Sequence, residues 1–85
     1  MQNTVVMLLP QIDKHTEEVE VVYWLKKDGS LVEKDESICE VNSEEFTFEL
    51  EAIETGILKI VAQAGTMLKT GETICEIMVT ETNVV

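Results

Sequence analysis

Apolar residues recur at every second position along much of this chain, the signature of strands that bury one face. The clearest stretch is Phe46-Thr47-Phe48-Glu49-Leu50-Glu51-Ala52, whose alternation predicts a strand with Phe46, Phe48, Leu50 and Ala52 on one buried face. Val19 to Leu25 and Ile57 to Ala62 are dense in β-branched or apolar residues and predict two more strands. Turn residues separate these runs at regular intervals: Asp28-Gly29-Ser30, Thr55-Gly56, Ala64-Gly65-Thr66 and Thr70-Gly71. No segment keeps a helical period for long, so the pattern predicts an all-β chain of about eight short strands.

The pattern also repeats. A shift of 36 residues, the step from Cys39 to Cys75, lays Leu31 to Val41 over Met67 to Ile77. Gly29/Gly65, Glu36/Glu72, Ile38/Ile74, Cys39/Cys75 and Glu40/Glu76 are then identical, and Ser37/Thr73 and Val41/Ile77 exchange like for like. The repeat, about residues 22–41 and 58–77, is too short to bury a face alone, and two copies are too few for a solenoid. The two halves are therefore expected to pack on each other as a sandwich about a pseudo-twofold axis.

The chain has 85 residues, which limits it to one domain with one core. Its 17 acidic residues against 6 basic ones give a net charge of -11, which repels nucleic acid phosphates and anionic lipid heads and suits a solvated surface or a basic protein partner. The apolar run Val5 to Leu9, ended by Pro10 and preceded by no basic residue, is too short for a signal-peptide core or a membrane span, so a cytoplasmic location is expected.

Alternation around Glu40 and Glu76 puts Cys39 with Val41, and Cys75 with Ile77, on the inward side. Two distant cysteines and a single histidine, His15, fall short of a CxxC motif or a four-ligand zinc set, so Cys39 and Cys75 are expected to be free thiols acting as small hydrophobes, with no metal site. Trp24, inside Val21-Val22-Tyr23-Trp24-Leu25, is expected to pack rather than bind.

Several fragments in order resemble the biotinyl/lipoyl domains, and specifically the lipoyl domains of the acyltransferase component of 2-oxo acid dehydrogenase complexes. They are Met7-Leu8-Leu9-Pro10, the run from Val21 to Glu36 with its Trp24-Leu25 strand and Asp28-Gly29 turn, Ile38-Cys39-Glu40-Val41, Gly56-Ile57-Leu58 and Gly71-Glu72-Thr73-Ile74. The resemblance implies a flattened barrel or sandwich of two four-stranded antiparallel sheets. It also implies an Asp-Lys pair in the turn after Val41, the lysine taking lipoic acid in an amide bond. Ligation needs a nucleophilic amine on a long exposed stem, and a hairpin tip presents one.

Here that turn reads Asn42-Ser43-Glu44-Glu45-Phe46. Counting from Cys39-Glu40-Val41 on one side and Thr47-Phe48-Glu49-Leu50 on the other puts Glu44 on the acidic position and Glu45 on the lysine. A carboxylate cannot form the amide, so no cofactor is expected. Lys26, Lys27, Lys34, Lys59 and Lys69 fall in bends or strands. Lys14 follows Asp13 in the loop after Pro10, which in the family lies near the lipoyl hairpin. Two further departures touch this region: Val19 stands where the family commonly has glycine, and Gly56 to Gly65 is one residue shorter than its pattern. Adjacent carboxylates on an open turn are solvated and do not converge on a substrate as acid-base catalysis demands.

The first reading is a lipoyl-like domain without its acceptor lysine, not an enzyme, serving as an interaction or assembly module with subunits of a 2-oxo acid dehydrogenase-type complex. The alternatives are an acyl carrier modified at Lys14 and an adaptor that shares the fold within a longer chain.

Overall fold

The computed structural model describes residues 2–80. Eight strands follow one another with no intervening helix: β1 (Gln2–Leu8), β2 (Glu18–Trp24), β3 (Leu31–Val32), β4 (Ser37–Asn42), β5 (Thr47–Glu51), β6 (Gly56–Ile60), β7 (Met67–Lys69) and β8 (Thr73–Thr80). They form two four-stranded sheets, ordered β1-β8-β6-β3 and β5-β4-β2-β7, with every pairing antiparallel. This is the all-β architecture of two four-stranded antiparallel sheets expected above.

The sheets correspond strand for strand. Adding 36 to the numbers of β3 and β4 lands on β7 and β8. The turns between them are built alike: the Glu33 amide donates to the Glu36 carboxylate at 2.9 Å, and the Lys69 amide to the Glu72 carboxylate at 2.6 Å. The Asp35 amide reaches Ala52 O at 2.8 Å while the Gly71 amide reaches Leu9 O at 2.9 Å. Both turns need a left-handed residue, which is Gly71 at φ 90° in one and Asp35 at φ 72° in the other. The identity of Glu36 and Glu72 is thereby explained by turn capping.

A second shared device departs from strict alternation. Cys39 pairs with Leu50 and Ser37 with Glu51, so Ile38 is an extra residue in β4. Cys75 pairs with Met7 and Thr73 with Leu8, so Ile74 is an extra residue in β8. Each bulge turns two consecutive side chains inward. Ile38, Cys39, Ile74 and Cys75 are all fully buried, together with Val41 and Ile77. Strand β2 carries a further irregularity at Val22, between the Val21–Val41 and Tyr23–Glu40 pairs.

Met7, Leu9, Val19, Val21, Val32, Leu50, Ala52, Leu58, Ala62 and Leu68 complete the core, and no polar side chain is buried with them among the described residues. Trp24 packs against this cluster and donates its Nε1–H to Ala62 O at 2.9 Å, tying β2 to the segment after β6. One expectation fails. Phe46 is 48% exposed, because the strand begins only at Thr47 and the Phe46 amide is held by Ser43 Oγ in the preceding turn. Phe48, Leu50 and Ala52 face inward as the alternation predicts, Phe48 only in part.

Candidate functional site

The β4–β5 hairpin ends in a four-residue loop, residues 43–46. Asn42 pairs with Thr47 across the strands, and Thr47 Oγ1 donates to Asn42 Oδ1 at 2.6 Å. The Ser43 amide donates to Phe46 O at 2.8 Å, closing the loop around Glu44 and Glu45. The Ser43 hydroxyl accepts the amides of Phe46 at 3.0 Å and Glu45 at 3.3 Å. Serine favours such turns because its short side chain can replace a backbone acceptor. Glu44 and Glu45 are consequently held at the apex, exposed, and no hydrogen bond to their carboxylates forms among the described residues.

Beside this tip lies the loop between β1 and β2. Asp13 organises it: one carboxylate oxygen accepts the amides of His15 and Thr16, both at 2.7 Å. These bonds to the charged form hold the Asp13 carboxyl below its usual range. Lys14 occupies the apex of that small turn, exposed to solvent. The loop and the hairpin flank one shallow open groove of about 840 Å³, which Lys14, Glu44 and Glu45 all line. The structure therefore brings Lys14 to the same groove as the hairpin tip.

Six carboxylates line the groove, those of Asp13, Glu17, Glu18, Glu20, Glu44 and Glu45, against Lys14 and His15. Two apolar side chains break the polar lining, Phe46 and Met67, 48% and 52% exposed. The Phe46 ring lies 5.7 Å from that of Phe48, tilted by 49°, which steadies it against the sheet. Sequence reasoning passed over Ser43, Phe46 and Met67 as site residues. Serine opening a four-residue turn was the available signal for the first; Met67 shows no local signal, since β2 and β7 meet only through the fold.

The other lysines lie elsewhere. Lys26 is paired with Glu36 at 3.0 Å, and this ion pair together with the Glu33 amide keeps the Glu36 carboxyl below its ordinary range, the amide contributing more. Lys59 stands opposite Glu76 on the other sheet, and Lys34 lies in the bend after β3, its amide bound to Thr55 Oγ1 at 2.9 Å. Burial pushes the thiol of Cys39 up to about 12 and that of Cys75 up to about 11, so both stay protonated at neutral pH. Among the described residues, no three His, Cys, Asp or Glu side chains converge in a way that could hold a metal ion. The groove is open to solvent, so the acids that line it are not gathered in an enclosed, desolvated pocket.

Residues 5–77 match the Biotin_lipoyl family, described as "Biotin-requiring enzyme". The chain belongs to this family. Its relatives include the pyruvate dehydrogenase protein X component, mitochondrial, of Mus musculus, 35% identical over 60 residues, or 69% of this chain and 12% of that protein. Dihydrolipoyllysine-residue acetyltransferase component 2 of the pyruvate dehydrogenase complex, mitochondrial, of Arabidopsis thaliana is 37% identical over 68 residues, 78% of this chain and 13% of the relative. The dihydrolipoyllysine-residue acetyltransferase component of the acetoin cleaving system of Bacillus subtilis is 36% identical over 72 residues, 84% of this chain and 18% of the relative. The chain thus spans less than a fifth of the length of these relatives, and the likeness is to their lipoyl domains.

Proposed function

We propose that this chain is a lipoyl-type domain that carries no lipoyl group and serves as a docking or assembly module toward subunits of a 2-oxo acid dehydrogenase-type complex. The observation that carries the reading is the hairpin tip: its two central residues are Glu44 and Glu45, and neither offers an amine. Glu45 takes the lysine position when counted without a gap from either flank. A carboxylate is the wrong partner for an activated acyl group, because an amide requires a nitrogen nucleophile. The domain itself then performs no chemistry. Its contribution is a rigid sandwich presenting an acidic groove with exposed Phe46 and Met67, a surface for a basic, partly apolar protein patch.

A second reading rests on the position of Lys14. It lies on the same groove as the tip, next to an acidic residue, so a ligase docked on the hairpin end would meet this amine. In that version the domain is an acyl carrier modified in its β1–β2 loop.

Intact-mass analysis after co-expression with a lipoate ligase and free lipoate separates the two. The first reading expects an unmodified mass; gain of one lipoyl group would overturn it, and peptide mapping to Lys14 would establish the second. The variant Glu45→Lys is expected to take up one lipoyl group at the tip. A folded variant that stays unmodified would show that the position assigned to the lysine is wrong or that the ligase no longer recognises this surface.

A further inference from the structure

The two sheets have four edges, formed by β1, β3, β5 and β7. Sheet edges expose unpaired backbone groups, and proteins blunt them by shortness, charge, proline or bulges. Strands β3 and β7 are blunted by length, with two and three residues. Strand β5 carries Glu49 and Glu51. Strand β1 has none of these protections along most of its length. Its seven residues, Gln2-Asn3-Thr4-Val5-Val6-Met7-Leu8, include no charge and no proline, in a chain with 17 acids. Its register on β8 runs unbroken from Gln2 to Met7, and the bulge comes only at the Met7/Leu8 step. Among the described residues β1 pairs with β8 alone.

We propose that β1 is a strand-addition edge and that its occupant is β1 of a second copy of this chain, antiparallel about a twofold axis at Val5. That register sets Thr4 against Val6 and Asn3 against Met7 in both directions, so β-branched residues meet at the centre and no like charges oppose each other. The result is one eight-stranded sheet across two protomers. Charge selects this edge for self-pairing. Two chains of net charge -11 repel, and the approach that costs least joins their uncharged margins. Behind β1, the one carboxylate paired with it, Glu76 opposite Val6, has Lys59 as its neighbour on the other side. Val6 and Leu8, 48% and 50% exposed, gain cover in the dimer.

Sedimentation velocity on the whole chain from micromolar to millimolar concentration tests this. The expected result is a concentration-dependent dimer, strengthened by added salt as the repulsion is screened. Val6→Lys places two cations beside the twofold axis and should weaken association about tenfold or more. Leu31→Lys, at a still more exposed apolar site on β3, should leave it unchanged. A monomer at every concentration overturns the proposal, as does equal weakening by both substitutions. Hydrogen exchange on the unsubstituted chain keeps the test decisive if Val6→Lys fails to fold. Amides of β1 should gain protection with concentration while those of β5 do not, and unchanged β1 protection overturns the pairing.

Discussion

Adding a single methyl group at Gly56 tests whether the β6–β8 ladder is as tight as its geometry indicates. A Cβ built there would lie 2.3 Å from Met78 O, 2.8 Å from Met78 C and 2.9 Å from Ile77 Cγ2. Carbon-to-carbonyl contacts settle at about 3.3 Å or more, so the backbones would have to part by about 1 Å. The two nearest obstacles are backbone atoms of the neighbouring strand, which cannot swing aside as the end of a flexible side chain could. Overpacking of this kind costs about 1–3 kcal/mol, and loosening the Ile57–Met78 pairing adds about 1 kcal/mol for each ladder hydrogen bond weakened. Against this stands the loss of unfolded-chain freedom when glycine becomes alanine, which stabilises by about 0.4–1 kcal/mol. Gly56→Ala is therefore expected to destabilise by about 2–3 kcal/mol, a fall in melting midpoint of about 10–20 °C for a domain of this size.

Thermal and urea unfolding followed by circular dichroism measure it. Gly29→Ala is the control: a Cβ there meets nothing within 4 Å, but φ is +85°. Its cost is backbone strain of about 1 kcal/mol, and its midpoint should fall by about 4–8 °C. A Gly56→Ala midpoint equal to or above that of the parent would refute the close-approach argument. Equal losses in both variants would assign the effect to glycine's backbone and remove the contact with Met78 as its cause.

Three further expectations follow from the turns and the core. Glu36 has its carboxyl held below the ordinary range, so the stability it contributes is present above the unfolded carboxylate range and lost as pH falls through the lower folded value; the midpoint gap between the parent chain and Glu36→Gln should be open at pH 7 and narrow as the pH is lowered below the ordinary carboxylate range, and a gap constant with pH would sink the assignment. Asp35 adopts φ 72° where its counterpart is Gly71, and Asp35→Gly should raise stability by about 0.5–1 kcal/mol in urea unfolding, with a loss showing that the Asp35 side chain does something the turn requires. Cys39 and Cys75 should resist thiol reagents at pH 8 until the chain unfolds, and because their folded pKa values of about 12 and 11 lie above the unfolded one, they favour folding below pH 9 and cease to as pH rises through those values; rapid labelling of the folded chain would contradict their burial.

What could be read from the sequence divides along physical lines. The period-two pattern is a property of a strand with one wet face, so the β5 segment, the inward Cys39 and Cys75 and the all-β class were all visible locally. The 36-residue repeat made the sandwich visible, because like halves can bury their faces only on each other. Bulges were hidden. Ile38 looks outward in any strict alternation, and only its partner strand, where Leu50 meets Cys39 and Glu51 meets Ser37, shows the extra residue. Phe46 misled for the opposite reason: its hydrophobicity continued the alternation, but the turn claimed its amide for Ser43 Oγ. The groove was half legible. Asp13-Lys14 and Glu44-Glu45 stood out as chemistry, whereas Met67 enters the site through pairing of β7 with β2, a contact between distant segments.

The twofold correspondence separates what the fold requires from what it leaves open. Glu36 and Glu72, Ile38 and Ile74, and Cys39 and Cys75 agree because both halves need a turn cap, a bulge and a small buried side chain. The hairpin tip has no such counterpart: the correspondence carries the end of β4 onto the end of β8 and the start of β5 onto the start of β1, which no turn connects. Nothing in the second half therefore dictates residues at positions 44 and 45. Both side chains are exposed, and no hydrogen bond to either carboxylate forms among the described residues, so Glu45→Lys should alter stability by no more than about 0.5 kcal/mol in either direction. Lipoylation of that variant then reports on recognition alone, free of any change in folding. If Glu45→Lys instead unfolds the domain or shifts its midpoint by many degrees, the tip is structurally committed, and a role for Glu45 within the fold must replace the reading of a vacated attachment site.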